Sequence, residues 1–309
     1  MSHDATGPAA TPEQAAAEQH VTDLVLASFA DAPDRLREVM QSLVQHAHAF
    51  VRDTRLTQEE WSQGIEFLTR AGHITDERRQ EFILLSDVLG ISMLTVGVNS
   101  PLVAGATQAT VFGPFFVAGS PHVALGGDVA QAAPGQPCWV SGQVLDVDGR
   151  PVPGARLEVW EADEDGFYDV QHGDGRTAGR AHLFSADDGA YRFWGVTPTP
   201  YPIPADGPVG DLLSASGRHP MRAPHLHFMV SATGYRRLVT HIFVRGGDYL
   251  DSDAVFGVKS SLVVDFVEHP AGEPAPDGSS PTTAWTSAAF DIVLAPDHLQ
   301  HSASEGDQR

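Results

Sequence analysis

The chain has 309 residues, 42% of them hydrophobic, enough for one large domain or a core domain with a smaller companion. Forty acidic against 19 basic side chains give a formal charge of -21, a surface that repels phosphate backbones and anionic headgroups and so argues against nucleic acid or membrane as partners. One cysteine, Cys138, allows no intrachain disulfide, no run reaches the roughly 18 apolar residues of a membrane span, and no basic-then-apolar leader opens the chain, so a cytoplasmic location is expected.

Residues 1–17, rich in Ala, Pro, Thr and Gln, read as a disordered N-terminus. Residues 18–105 read as a helical domain. Leu36, Val39, Met40, Leu43, Val44, Ala47 and Val51 recur at three- and four-residue steps. Thr57-Gln58-Glu59-Glu60 has the form of a capping box ahead of Trp61, Ile65 and Leu68, and Ala71-Gly72 is expected to end that helix. A third helix is expected from about 76 to 96, carrying Phe82, Ile83, Leu85, Val88, Leu89 and Met93. Leu24, Val25, Phe29, Leu36 and Phe50 spread over an arc too wide for a small helical unit to bury, which predicts a partner surface.

After Asn99-Ser100-Pro101 the period falls to two and Gly and Pro become frequent. Strands are expected over 138–147, 156–161, around 191–195, and over 225–231, 238–244, 261–267 and 284–294, with turns at Asp148-Gly149 and Asp188-Gly189. Short strands at this spacing predict a β-sandwich over 106–296, followed by a disordered polar tail, 297–309. The fold class is therefore mainly β with a helical N-terminal part. Cys138, beside Trp139, reads as core; the aspartates of 146–148 and 163–169 read as turn chemistry; His46 and His48 read as solvent-facing or interfacial.

His225-Leu226-His227 is the sharpest local feature. Residues two apart on a strand face one side, so both imidazoles can meet one metal ion, although satisfied structural histidines also occur in this pattern. Two of the five tyrosines, Tyr168 and Tyr201, sit where a strand gives way to a loop; either alone reads as a surface Tyr. No carboxylate stands beside the His pair, so a two-His, one-carboxylate ferrous site is not evident. A hard ferric ion could take phenolates instead, because a trivalent cation lowers the phenol pKa from its free value near ~10.

The run Tyr201-Pro202-Ile203-Pro204-Ala205-Asp206-Gly207-Pro208, then Arg222-Ala223-Pro224-His225-Leu226-His227-Phe228, with Gly166-Phe167-Tyr168 upstream, resembles the intradiol ring-cleavage dioxygenases. The resemblance covers roughly residues 20–295. It implies an Fe(III) oxidoreductase of aromatic catabolism that opens an aromatic ortho-diol with O2. Tyr168, Tyr201, His225 and His227 would be the metal ligands, and Tyr201 and Arg222 the catalytic residues. Leu84-Leu85-Ser86-Asp87, Val111-Phe112-Gly113-Pro114-Phe115-Phe116, Thr240-His241-Ile242-Phe243-Val244 and the segment Tyr249 to Lys259 resemble the hydroxyquinol-cleaving branch. That implies a substrate pocket of Leu84, Asp87, Val111, Phe112, Gly113, Pro114, Ile203, Pro204, Arg222, His241 and Val255, with Asp87 bonding the third hydroxyl. Val239-Thr240-His241 departs from the catechol-cleaving pattern, where a glutamine follows a threonine pair. The family also implies a homodimer through the helices, with phospholipid at the interface. Two alternatives stay open. One is a catechol 1,2-dioxygenase. The other is a non-enzymatic transthyretin-like binding module, which Asp148 to Ala155 followed by Arg156 to Trp160 resembles.

Overall fold

The computed structural model describes residues 10–77, 79–173 and 175–297; of the ends expected to be disordered, 1–17 and 297–309, the stretches 1–9 and 298–309 lie outside the described residues. In chain order the elements are α1 (Pro12–Ala27), α2 (Asp34–Thr54), α3 (Gln58–Ile74), α4 (Glu81–Val88), α5 (Ile91–Asn99), β1 (Pro137–Asp146), β2 (Arg156–Trp160), α6 (Asp169–His172), β3 (Arg180–Phe184), β4 (Ala190–Val196), β5 (Tyr201–Pro202), α7 (Pro208–Ala215), β6 (Met221–Arg222), β7 (His225–Ser231), β8 (Leu238–Val244), β9 (Val263–Val264), β10 (Phe266–His269), β11 (Trp285–Ala289) and β12 (Ile292–Leu294). They form two compact units that divide between His73 and Ile74.

In the first unit, residues 12–17 are not disordered as expected but open α1. Thr11 accepts the Gln14 N–H and Pro12 fills the first helical position, where a missing N–H does no harm. Arg55 grips Glu18 through two hydrogen bonds, and Arg52 donates to Thr22, tying α2 back along α1. The capping box forms at Thr57: its N–H donates to the Glu60 carboxylate, and Glu60 N–H donates to Thr57 Oγ1. The helix it starts runs past Ala71-Gly72 to Ile74. Leu24, Leu36, Leu43, Phe50, Trp61 and Ile65 remain exposed.

In the second unit, the single helix expected over 76–96 is two helices, α4 and α5, bent by 78°. The break falls at Leu89-Gly90, where Gly90 takes the left-handed conformation that side-chain-bearing residues avoid. Among the described residues no single helix is long and apolar enough to cross a membrane; this bent pair passes that test only jointly. The expected domain boundary near 105 also moves, because α4 belongs with the sandwich. Glu81, fully buried, accepts the Val209 N–H at the start of α7, and Arg218 donates to the Val88 carbonyl.

The sandwich is as expected, with finer divisions. One sheet runs β10-β11-β1-β12, with β4 on β1; the other runs β3-β2-β7-β8-β9. The strand expected over 284–294 is interrupted at Phe290-Asp291, so β11 pairs in parallel with the first half of β1 and β12 with the second. The strand expected over 261–267 likewise divides into β9 and β10, and β3 had no sequence counterpart. Val140, Tyr191 and Phe193 of the first sheet meet Leu157, Leu226, Phe228, Val230 and Ile242 of the second in one core, with Cys138 fully buried among them. Alternation along β7 then turns His225, His227 and Met229 away from that core, onto the outer face of the second sheet.

Candidate active site

Strand register sets the floor of the site. Trp160 on β2 and His241 on β8 stand opposite His227 on either side of β7. The Trp160 ring stacks on His227 with centroids 4.6 Å apart and 22° between planes, and His241 meets it edge-to-face at 4.1 Å. The β5–β6 ribbon places Tyr201 directly opposite Arg222. Tyr168 ends a loop wound on Asp163, whose carboxylate accepts the Asp165 and Phe167 N–H groups, the turn chemistry expected of this acidic run. Gly166 lets that loop close on the ribbon, since a Cβ there would fall on Tyr201 Cβ. Over these residues lies the segment 111–116. Phe115 stacks on Tyr168 at 4.6 Å, Phe112 and Phe116 pack on Trp160, and a Cβ on Gly113 would stand 3.1 Å from the His227 ring.

Four donor atoms close a ring. Tyr168 Oη is 3.0 Å from Tyr201 Oη, which is 3.1 Å from His225 Nε2; that nitrogen is 3.2 Å from His227 Nε2, which returns to Tyr168 Oη at 3.0 Å. All four side chains are at most 5% exposed. Neighbouring donors around an ion with bonds of about 2.0–2.2 Å stand roughly 3 Å apart when they subtend a right angle, so the ring fits a single metal ion. His225 Nδ1 lies 2.6 Å from the Ala223 carbonyl, which assigns its proton there and leaves Nε2 as the free lone pair.

Electrostatics favour the same reading. Burial, with the Arg222 guanidinium close by, drives the His225 pKa well below its ordinary value; burial, His225 and Arg222 do the same to His227, so both imidazoles are neutral. Burial raises both phenols, Tyr168 further because Tyr201 sits against it, while Arg222 partly relieves Tyr201. A site that disfavours imidazolium and, without a cation, also phenolate is made consistent by a metal ion, which binds the first as a lone pair and ionises the second. His241, fully buried, belongs to the same cluster: its ligand atom and those of His225 and His227 lie within 4.8 Å of one another, and neither of its ring nitrogens has a hydrogen-bond partner.

Arg222 sits 3.0 Å from His225 Nε2 and is itself held by Asp253, a residue with no role assigned from sequence. Asp253 accepts from Arg222 Nε at 3.1 Å, Gly257 N–H at 2.7 Å and Ala223 N–H at 3.3 Å, and both members of the pair are 4% exposed. Desolvation opposes the charge on Arg222, but the Asp253 carboxylate and the phenols outweigh it, so the guanidinium is held above its ordinary pKa. The same loop reaches α4, because Arg218 bonds both the Val88 and Ala254 carbonyls. Asp87 is 8% exposed and close enough to feel Arg222; burial raises its pKa, against the lowering effects of Ser92 and Arg222. The remaining expected pocket residues are placed by these elements. Leu84 lies one turn before Asp87, Ile203 and Pro204 follow Tyr201, and Val255 is buried next to Asp253, while Val111 is buried and Phe112 and Pro114 are exposed. Trp160 and Asp253 could not be read from sequence, because only strand pairing and loop closure bring them to the site.

Comparison with known proteins agrees with this arrangement. A family profile described as "Dioxygenase" matches residues 111–296, and one described as "Catechol dioxygenase N terminus" matches 33–107. The chain belongs to the intradiol ring-cleavage dioxygenases. Within that family it is 63% identical to hydroxyquinol 1,2-dioxygenase of Nocardioides simplex, over 92% of this chain and 97% of the relative. It is 61% identical to the Rhodococcus opacus enzyme of the same name, over 93% and 97%. The crystal structure of hydroxyquinol 1,2-dioxygenase from Pseudomonas putida DLL-E4 superposes with a TM-score of 0.86 at 45% identity, covering 92% of this chain and all of that one.

Two outcomes follow from the buried carboxylates. Asp253→Asn leaves the Arg222 charge buried without its counter-ion; it should destabilise the protein by about 3 kcal/mol and lower kcat/KM at least about tenfold, because Arg222 loses its anchor. Wild-type kcat/KM in that variant would show that other contacts suffice to hold Arg222. For Asp87 the folded pKa lies above the unfolded value, so the wild type loses stability as pH rises through the carboxylate range. Asp87→Asn should therefore melt higher than wild type at pH 7, with the difference vanishing below about pH 4. Thermal melts across that range decide it, and a lower melting temperature at pH 7 contradicts the sign.

Proposed function

We propose that the chain cleaves hydroxyquinol (1,2,4-trihydroxybenzene) with O2 between its ortho hydroxyls. The product is 3-hydroxy-cis,cis-muconate, which rearranges to maleylacetate. Tyr168, Tyr201, His225 and His227 hold one Fe(III) for this reaction. The carrying observation is the closed ring of two phenols and two neutral imidazoles with Arg222 at its edge. The donor set suits a hard trivalent cation. Bound there, Fe(III) supplies the Lewis acidity that lets an ortho-diol ionise and its ring react with O2.

The chain's own residues do the rest. Tyr201 accepts a proton from the substrate at Oη, the phenol that Arg222 already favours in its ionised form. Arg222, fixed by Asp253, stabilises the negative charge that develops on the ring and on the oxygen attacking it. Asp87 accepts from the third hydroxyl. His241 offers its unpaired nitrogens to the bound diol, and Leu84, Val111, Ile203, Pro204 and Val255 form the apolar wall under the rim of Phe112, Gly113 and Pro114. The relatives' names favour neither catechol as the main substrate nor a non-enzymatic binding module.

Assembly and location extend the reading. The exposed Leu36, Leu43, Phe50, Trp61 and Ile65 support a two-fold homodimer through α1–α3, with phospholipid between the apolar faces. The buried free thiol of Cys138, its pKa pushed up to about 12 by desolvation, suits a reducing cytoplasm but does not require one.

The purified protein should contain one iron per chain and be reddish from phenolate-to-iron charge transfer. Tyr168→Phe and Tyr201→Phe should each shift or bleach the band, and anaerobic hydroxyquinol should change it. An active, colourless protein stoichiometric in zinc would falsify the ferric assignment. Hydroxyquinol should exceed catechol in kcat/KM by at least about tenfold, with Asp87→Ala narrowing the gap, since a site built to bond a hydroxyl rejects its absence strongly. Equal values for the two diols in the wild type would remove the role given to Asp87. Light scattering over a dilution series should report a dimer at micromolar concentration; a fully active monomer there overturns the assembly.

A further inference from the structure

Away from the four donors, a cavity of about 300 Å³ lies where the 97–109 segment meets β8 and β12. That is the lower end of small-molecule sites, which run from about 300 to 1,000 Å³. Three cations border it: Arg236, Arg237 and Lys259, the only lysine in the chain. No acidic side chain does so among the described residues. This is unexpected in a protein with 40 carboxylate side chains, where Arg79, Arg156, Arg180 and Arg222 are each paired with one.

Arg236 is the sharpest anomaly. Its side chain is half-buried, and its Nη1 is buried with no hydrogen-bond partner; a donor withdrawn from water without an acceptor costs free energy. Arg237 has no ion pair among the described residues either. Lys259 spends one donor on the Ala109 carbonyl at 2.6 Å, and burial pushes its pKa down with no carboxylate to offset it. An anion would satisfy the buried Nη1 of Arg236 and offset the half-buried charge of Lys259, with the exposed Arg237 alongside. Beside Ser100, Thr107 and Gln108 the wall carries an aliphatic stretch of Leu102, Val103, Leu238 and Val293, which an inorganic ion would leave uncovered. The planar fork of a guanidinium matches a carboxylate.

We propose that this cavity binds a small organic carboxylate, its charged end held by Arg236 with Arg237 and Lys259 and its carbon skeleton against the aliphatic wall. The site is separate from the proposed chemistry and does not depend on it.

The test is calorimetric titration of the full-length, iron-loaded protein with cis,cis-muconate, a six-carbon dicarboxylate, and with inorganic phosphate. Muconate should bind. Arg236→Met should weaken that binding about ten- to hundredfold while leaving the kcat/KM for ring cleavage at its wild-type value. Because the guanidinium is unpaired in the free protein, Arg236→Met should also melt, without ligand, at or above the wild-type temperature. Unchanged muconate affinity in the variant would place the binding elsewhere and overturn the site. A lower ligand-free melting temperature would show the fold itself uses the charge, and phosphate binding as tightly as muconate would overturn the carboxylate assignment. Asp297, the last described residue, donates its N–H to the Gly234 carbonyl, two residues before Arg236. Binding seen only after deletion of residues 298–309 would give the cavity to the chain's own end.

Discussion

Four polar atoms packed within 3.2 Å of their ring neighbours, in side chains almost wholly withdrawn from water, are the constraint around which the second unit is built. Such a group is costly unless something binds it, because each donor has given up hydration and repels charge on the others. Its surroundings limit that cost by fixing every member from behind. His225 is fixed through the Ala223 carbonyl, His227 between Trp160 and His241, Tyr168 under Phe115, and Tyr201 by the ribbon that also carries Arg222. None of these supports is itself a donor in the ring, yet each removes a freedom that would let the ring open.

The location on the outer face of a sheet explains how one framework can hold this chemistry. The inner face of β7 is committed to the core through Leu226, Phe228 and Val230, and the strand cannot move without disturbing both sheets. The outer face is covered by the 111–116 segment, the 163–168 loop, α4 and the 253–257 loop. The fixed donor atoms and the segments that cover them are thus separated by a single backbone. The buried Arg222–Asp253 pair joins the two, since one partner lies on the ribbon and the other on a covering loop.

Local chemistry was legible in the sequence and long-range closure was not. His225 and His227 share a face because alternation on a strand is a property of neighbouring residues, and the turn aspartates behaved as their spacing suggested. The two tyrosines were placed by resemblance alone; nothing in their immediate surroundings sets them apart from surface residues. Trp160 and Asp253 were invisible as site residues, since register between β2 and β7 and the closure of a loop onto Ala223 leave no periodic trace. The start of α1 carries the recognisable cap Thr11-Pro12 but no large apolar side chain, so apolar spacing does not reveal it. The break at Gly90 was missed for the opposite reason: apolar spacing continued across it.

The order of strands in the first sheet has a consequence for how the chain is made. β1 is paired on one edge by β4, but its other edge is completed only by β11 and β12, in parallel. On a ribosome adding about 5–20 residues per second, β1 emerges roughly 7 to 30 seconds before those partners exist. Through that interval a strand bearing Cys138, Val140 and Val144 presents an unfilled edge, with no hairpin partner to cover it. Closure of this sheet is therefore a late event that waits until β12 has been made.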